Sequence, residues 1–562
     1  MRIRAERGGV RFGWNGAFRH ELEPGLRLPL DRHGVKKHGK RSHPEPFLSV
    51  ERVVDNDLLF RFGVLCHTDD FVVVSLVVSI AARLDHGVSF LATTINGRRM
   101  TTQRTHDVVV IGGGSAGYAA ARTARETGAD VAIVDQGPLG GLCILRGCMP
   151  TKAILRSAEI AAVMRRAPEF GLSPVEVRAS LPAIVDRKDR LVREFADYRI
   201  QQLRDPAFVL YEAPATFLSP YRLQVGSTCL SAKSFIIATG SVPREKVIPG
   251  LTETGCVTSD SLLDRREQPE SLIVLGAGPV GLELAQFFAR IGTPVTLVQR
   301  APHVLSHLDA DVGVALGQAL AAEGLRVMTD TQALRVRRDG NKMAVSVMHK
   351  GKEELLTGDL VLNALGRAPN IAGLNLSAAQ VTVDAGRVVV DAGMRTSQPH
   401  IFAVGDVTEL HDVVHIAIQQ GELAGWNACH PGDPPRHFDD RLAAEVIFTE
   451  PQVAAVGLTE KACRARGLSY LTGAYPFADH GKAMCLGSTQ GFVKLMADRA
   501  NGTVLGAEIV GPESGELIHE LLAVMYYRGT VHDLLQIPHY HPTLAEIVTY
   551  PAESIVEQMR QS

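Results

Sequence analysis

A β-branched run, a glycine turn and a helix-forming stretch occur in this order twice, at Gly112 and again at Gly276, and no other feature limits the fold so strongly. In the first copy, residues 107–111 form the run, Gly112-Gly113-Gly114-Ser115-Ala116-Gly117 the turn, and the alanine-rich 118–127 the helix. A second strand over 129–134 ends at Asp135, about 20 residues beyond the glycines, where an acid can accept hydrogen bonds from an adenosine ribose. Gly112 and Gly114 let the backbone turn tightly and approach a pyrophosphate. Gly117 lets the helix pack close to the strand, with its N-terminal amides facing the phosphates.

The second copy has its strand over 271–275, the turn Gly276-Ala277-Gly278-Pro279-Val280-Gly281, a helix over 282–291 and a second strand over 295–298. Two dinucleotides are therefore expected. The position of the ribose acid reads Gln299-Arg300. A carboxylate there would repel a 2′-phosphate and an arginine can pair with one, which favours NADP(H) over NAD(H).

At roughly 100–200 residues per domain, 562 residues make about three or four domains. With 45% hydrophobic and 21% charged residues and a formal net charge of −2, the composition is that of a soluble protein. No block of one sign is large enough to track a phosphate backbone, so nucleic acid is excluded as a partner. The apolar run 71–82 is too short to span a bilayer, which needs roughly 20 residues, and no membrane partner is expected.

The 8 cysteines are few, and Cys66, Cys229, Cys256, Cys429, Cys463 and Cys485 are scattered, which points to a reducing, cytoplasmic setting. Cys143 and Cys148 stand apart, in Gly140-Gly141-Leu142-Cys143-Ile144-Leu145-Arg146-Gly147-Cys148-Met149-Pro150-Thr151-Lys152. Their C-x4-C spacing lacks the C-x2-C repeats of a zinc site, so no metal is expected and the pair reads as redox-active. Residues 1–103 match none of this. They are rich in Arg, Gly, His and Pro at the start, carry no period over 1–50, and contain no methionine between Met1 and Met100. They are expected to be a disordered extension, or not part of a functional protein that starts near Met100.

Residues 104–562 resemble the group I pyridine nucleotide–disulfide oxidoreductases, the flavoprotein family of dihydrolipoamide dehydrogenase, glutathione reductase and mercuric reductase. Besides the two glycine turns and the cysteine pair, the resemblance rests on Ala238-Thr239-Gly240-Ser241-Val242-Pro243, Gly366-Arg367-Ala368-Pro369-Asn370, Phe402-Ala403-Val404-Gly405-Asp406 and His539-Tyr540-His541-Pro542-Thr543-Leu544-Ala545-Glu546. It implies an α/β chain with two Rossmann-like dinucleotide-binding domains and a C-terminal α+β dimerisation domain. FAD would occupy residues 104–250 and 366–440, bound by Gly112, Gly114, Gly117, Asp135, Gly141, Lys152, Thr239, Gly240 and Gly366, with Asp406 on its ribitol. The nicotinamide nucleotide would occupy 251–365, held by Gly276, Gly278, Gly281 and Arg300. Residues 441–562, with Phe448-Thr449-Glu450-Pro451 and Gly511-Pro512-Glu513-Ser514-Gly515-Glu516, would form the interface.

A nicotinamide gives a hydride and thiols exchange electrons through sulfur, so a flavin must mediate. Cys148, before a helix expected over 153–165, is placed to be the thiolate facing the flavin, and Cys143 to be the sulfur that exchanges with substrate. Lys152 and Glu283 match a pair that the family places beside the flavin and nicotinamide rings, with Glu283 expected on the first turn of the second nucleotide helix. His541 is the candidate acid–base for Cys143, with Glu546 orienting its imidazole, and His539 has either a supporting hydrogen-bond role or a direct one. In the family this histidine enters the partner subunit's site, which implies a homodimer.

Dihydrolipoamide dehydrogenase is the favoured reading, with a lipoyl domain of a 2-oxo acid dehydrogenase complex as the partner it would bring. An NADPH-dependent disulfide or mercuric reductase is the alternative, and a flavin-loaded, non-enzymatic subunit the third. Mercury would need more sulfur ligands near the C-terminus than a chain whose last cysteine is Cys485 can offer.

Overall fold

The computed structural model describes residues 2–6, 9–13, 47–55, 58–65, 76–84, 87–95, 102–245 and 248–561. It divides into two compact units, Met1–Met100 and Thr101–Ser562. In the first, the described backbone forms a two-stranded antiparallel pair, Arg2–Glu6 with Gly9–Gly13, and a four-stranded antiparallel meander of Phe47–Asp55, Leu58–Leu65, Leu76–Leu84 and Gly87–Ile95. The expectation of disorder up to residue 103 falls mostly on residues outside the described ones. Where it does not, strands are seen, and Thr102 already opens the first strand of the second unit.

That strand, Thr102–Ile111, lies in a seven-stranded sheet, parallel to Val131–Asp135 on one side and Thr228–Ile237 on the other. Val209–Glu212 extends the sheet beyond Val131–Asp135, and Ile401–Ala403 pairs with the end of Thr228–Ile237. Val108, Val109, Val110 and Ile111 are all buried, the continuous apolar run that a strand covered on both faces requires. Helix α1 (Ser115–Glu126) follows the first glycine turn. The short α2 (Leu142–Leu145) and the longer α3 (Cys148–Arg165) carry the cysteine pair, and α4 (Leu181–Leu203) returns along them.

A single turn, α5 (Ser259–Leu262), opens the second nucleotide-type region. Its sheet is wholly parallel, in the order Val257–Thr258, Leu360–Asn363, Leu272–Leu275, Val295–Val298, Arg326–Met328. Helices α6 (Pro279–Arg290) and α7 (Ala310–Ala322) cover it. The chain then returns to the first sheet, where α8 (Val414–Cys429) packs on α1 through small residues. A Cβ at Gly421 or Gly425 would stand 2.2 Å from the Ala116 carbonyl oxygen or 2.5 Å from that of Ala120, so glycine sets how close the two helices lie.

The C-terminal region is a five-stranded antiparallel sheet, Ala444–Ile447, Gln452–Gly457, Val504–Gly511, Phe492–Asp498 and Tyr470–Pro476, with Ser514–Tyr526 and Thr549–Gln561 as its main helices. A buried ionic knot joins it to the second parallel sheet's helices. Lys494 Nζ lies 2.7 Å from Asp309, the N-cap of α7, 2.8 Å from Glu508 and 2.9 Å from Asp311. Asp309 also accepts from the backbone N–H groups of Glu460 and Lys461. Removing one partner from a buried set like this costs about 3–5 kcal/mol, because the remaining charges stay desolvated. No helix among the described residues is long and apolar enough to cross a membrane.

Candidate functional site

The first glycine turn is built on backbone contact. Gly112, at φ +109°, donates its N–H to Val134 O at 2.7 Å, and a Cβ there would meet Ala238 O at 2.3 Å. A Cβ at Gly117 would stand 1.8 Å from Gly112 O. Asp135, the expected ribose acid, accepts from Gly113 N and Gly137 N, both at 2.7 Å, and so pins the loop on either side. Gly114 caps α1 with no side-chain bond and no acid in the first turn, which leaves bare the amide groups that α1 itself cannot satisfy. Gly141, at φ +79°, presses against it, since a Cβ there would come within 2.6 Å of Gly114 Cα.

Around this cradle lie the other residues expected to hold FAD. Thr239 Oγ1 is buried with no partner among the described residues, and Gly240 and Gly366 adopt φ of +67° and +107°. Asp406 accepts from Ser241 Oγ at 2.6 Å, and Ser241 in turn accepts from Arg367 Nε at 2.8 Å. An orphan hydroxyl, an uncapped helix start and a glycine pressed onto a glycine fit a ligand with a phosphate and a polar chain. FAD fits on those terms.

The second turn repeats the backbone contacts. Gly276, at φ +104°, donates to Val298 O, and a Cβ would meet Ala364 O at 2.4 Å. A Cβ at Gly281 would stand 2.0 Å from Gly276 O, whereas one at Gly278 would meet nothing within 4 Å. Gln299 Oε1 accepts from Arg300 N, and Arg300 is exposed with no side-chain partner among the described residues.

Both cysteines are free thiols. Cys143 sits in α2, and Cys148 is the first residue of α3, where the helix dipole favours negative charge. A hydrogen bond from Cys143 and the nearby Lys152 ammonium bring the Cys148 pKa down to about 7, against burial and the Glu283 charge. The same hydrogen bond, with burial, holds the Cys143 pKa up. The two sulfurs are thus unlike before any substrate arrives.

Lys152 Nζ binds both Glu283 oxygens, at 2.9 and 3.0 Å. Glu283 is buried and lies in the second turn of α6, not the first, because the helix already begins at Pro279. Its Oε1 also accepts from Phe448 N at 3.0 Å, and the Phe448 ring centre is 4.4 Å from the ammonium. The sequence had marked Phe448 only as part of an interface motif. The chain Cys148–Lys152–Glu283–Phe448 therefore links the first nucleotide region, the second and the C-terminal sheet.

His541 Nδ1 lies 3.0 Å from Glu546 Oε2, and its ring is 79% exposed. Glu546 stands in a 3-10 turn, Ala545–Val548, and its other oxygen is 3.4 Å from Nε2 of His480. His480 is fully buried, and burial pushes its pKa down, so its ring is neutral. Nothing in the local pattern around His480 marks it, since it lies far along the chain from Glu546. His539 is bound on both nitrogens, to Glu520 at 2.6 Å and Ile537 O at 2.9 Å.

Residues 106–421 match the pyridine nucleotide-disulphide oxidoreductase family, and residues 443–552 match its dimerisation domain, which suggests a homodimer. A mercuric reductase of Staphylococcus aureus is 34% identical over 424 residues, 75% of this chain and 77% of that protein. A dihydrolipoyl dehydrogenase of Thermus scotoductus is 35% identical over 460 residues, 81% and 98% of the two chains. Among solved structures, LpdA of Mycobacterium tuberculosis aligns with a TM-score of 0.72 at 28% identity, covering 81% of this chain and 100% of its own. The HOCl-induced flavoprotein disulfide reductase RclA of Escherichia coli aligns at 0.70 and 27% identity, covering 80% and 99%.

Proposed function

Because the chain belongs to the pyridine nucleotide-disulphide oxidoreductase family, whose members use FAD and NAD(P)H, we propose that it moves electrons between a nicotinamide nucleotide and a dithiol or disulfide through Cys143 and Cys148. Bound at the first glycine turn, FAD supplies the carrier that accepts a hydride on one side and serves thiols on the other. The observation that carries the reading is geometric: Cys148 opens α3, Cys143 lies in the short helix just before it, and the Lys152 ammonium held by Glu283 stands one turn beyond Cys148.

In the reducing direction, Cys143 gives up its proton and attacks the substrate disulfide. One thiolate leaves and takes a proton from His541 of the partner subunit, and a mixed disulfide remains. Cys148 thiolate then attacks Cys143 sulfur, which closes the Cys143–Cys148 disulfide and releases the second thiol. NAD(P)H is the reductant that restores the dithiol, so one NAD(P)H and one proton are consumed for each disulfide cleaved. Oxidation of a dithiol by NAD(P)⁺ runs the same steps backwards. Glu546 orients His541, and Lys152 with Glu283 sets the charge beside Cys148.

Dihydrolipoamide is the favoured substrate, supported by the Thermus relative, which this chain matches over 98% of its length. Arg300, exposed and without a side-chain partner among the described residues, favours NADP(H), and with it an NADPH-dependent disulfide or mercuric reductase as the second reading. Steady-state rates of the FAD-loaded protein decide between them. NAD⁺-dependent oxidation of dihydrolipoamide is expected if the first reading holds. NADPH-specific reduction of glutathione disulfide or Hg²⁺ without lipoyl turnover would replace it with the second.

A further inference from the structure

We infer that Phe448 is a positioning residue for the redox pair: with its ring and its backbone N–H it holds the Lys152–Glu283 ion pair beside Cys148, so that the C-terminal region takes part in setting the charge at the sulfur. The inference rests on the thiol chemistry proposed above and adds a residue to it. Phe448 opens the turn Phe448-Thr449-Glu450-Pro451 between the strands Ala444–Ile447 and Gln452–Gly457. That turn grips one face of α6 along its length. Glu283 Oε1 accepts from Phe448 N at 3.0 Å. Gln286 Oε1 accepts from Glu450 N at 2.8 Å, and Gln286 Nε2 donates to Glu450 O at 2.6 Å. Arg290 Nη1 donates to Glu450 Oε2 at 2.6 Å. Positions 283, 286 and 290 fall on one side of the helix, and each of these side chains is buried. Glu283 is thereby fixed against the turn that carries Phe448.

The ring acts on the other partner of the pair. Lys152 lies one helical turn beyond Cys148 on the same face of α3. Its ammonium binds both oxygens of Glu283, at 2.9 and 3.0 Å, and stands 4.4 Å from the centre of the Phe448 ring. At that distance the ring face attracts the cation and keeps water from that side of it. Phe448 is still 40% exposed, so burial of apolar area does not account for where its ring lies. A lysine ammonium sits on a flexible stem, and a carboxylate alone can follow it through several rotamers. The ring restricts that freedom. A charge held in a partly desolvated place acts more strongly on a nearby sulfur than one that swings into solvent. The titratable groups set against Cys148 are Cys143 on α2, Lys152 on its own helix and Glu283 on α6. Lys152 is the cation among them, and its position is what the ring of Phe448 governs.

The test reads the ionisation of Cys148 and needs no turnover. In the FAD-loaded, full-length Cys143→Ser protein, alkylation of Cys148 by iodoacetamide is followed by mass spectrometry as a function of pH. The midpoint is compared, not the rate, because a smaller side chain also opens the approach to the sulfur. Phe448→Leu keeps the backbone N–H and most of the apolar volume, and its midpoint should rise by about half a unit, roughly a threefold change in the ionisation constant. Phe448→Tyr, which keeps the ring, should hold the parent value. In a Lys152→Met background, Phe448→Leu should add nothing, since its effect passes through the ammonium. If the leucine variant does not accumulate, Phe448→Met removes the ring with an unbranched side chain and is read in the same way. An unchanged midpoint in the variant without the ring overturns the inference, and so does an equal rise with Lys152 already gone. If Lys152→Met alone leaves the midpoint in place, there is no charge for Phe448 to position and the inference falls with it. Absence of turnover with every nucleotide and disulfide pair would instead sink the proposed reaction, while the alkylation midpoints would still decide the role of Phe448.

Discussion

The two glycine turns share a skeleton and part at one position. In both, the first glycine takes a positive φ under the carbonyl of an alanine, Ala238 or Ala364, and the last glycine lies almost on the first one's oxygen. The next strand then ends in Asp135 in one and in Gln299-Arg300 in the other. Asp135 bonds the amides on either side of its loop, so the first turn is braced from within. Gln299 bonds its own neighbour and leaves Arg300 free to reach outward. The fold fixes the glycines, and the choice of ligand rests on the residue beyond the second strand.

The sharpest way to break the likeness is to add a methyl group at the shared positions. Gly117→Ala and Gly281→Ala put a Cβ about 2 Å from a backbone oxygen, so each should abolish or severely destabilise its region, a loss of about 3 kcal/mol or more. Gly278→Ala meets nothing. It should fold, keep FAD and lose nucleotide affinity, which thermal unfolding, flavin absorbance and nucleotide titration together would show. A Gly278→Ala protein as unstable as Gly281→Ala would deny the second turn an open, ligand-facing side.

Next in size are the residues that differ. Asp135→Ala removes two hydrogen bonds to a carboxylate and should weaken FAD retention about a hundredfold, read as flavin released on dilution. Gln299→Glu places an acid where Asp135 stands and should move the NADPH-to-NADH ratio of kcat/KM about tenfold towards NADH. If the ratio stays put, the discrimination lies elsewhere in the second region.

These contrasts also show why some of the molecule was legible in sequence. A glycine turn and its two strands are local, so spacing alone located Gly112, Gly117, Gly276 and Gly281. The parallel strands stand out for the same reason, being short apolar runs such as Leu272–Leu275, every residue of which is buried. Glu283 was placed one turn too early because the helix begins at Pro279, a boundary that periodicity does not fix. His480 was not legible at all. It matters through Glu546, which tertiary packing brings near it, and nothing in its own segment marks it.

Where the two regions meet, the expected effects become smaller. Lys152, from the first, is bound by Glu283, from the second, and its ammonium helps hold the Cys148 pKa at about 7. That pKa is lowered from the ordinary thiol range, so the thiolate is present above about pH 7 and lost below it. Lys152→Met removes a lowering cause, and the midpoint should rise by about one unit, seen as the pH dependence of Cys148 alkylation in a Cys143→Ser background compared with that parent. A midpoint that does not move would leave the helix start as the source of the acidity.

The smallest effect is expected farthest from either glycine turn. His480 is neutral and buried, and its Nε2 stands 3.4 Å from the Glu546 oxygen that does not face His541, a contact that falls short of a hydrogen bond. His480→Leu should lower kcat/KM for disulfide exchange only about threefold, the worth of a marginal polar contact. Electron transfer from NAD(P)H to an artificial acceptor that bypasses His541 should be unaffected. His480→Asn, which keeps a donor, should recover most of the exchange rate. If both half-reactions fall together with the melting temperature, His480 only fills the core beneath Tyr550, where its ring stands edge-on at 6.2 Å, and has no part in holding Glu546.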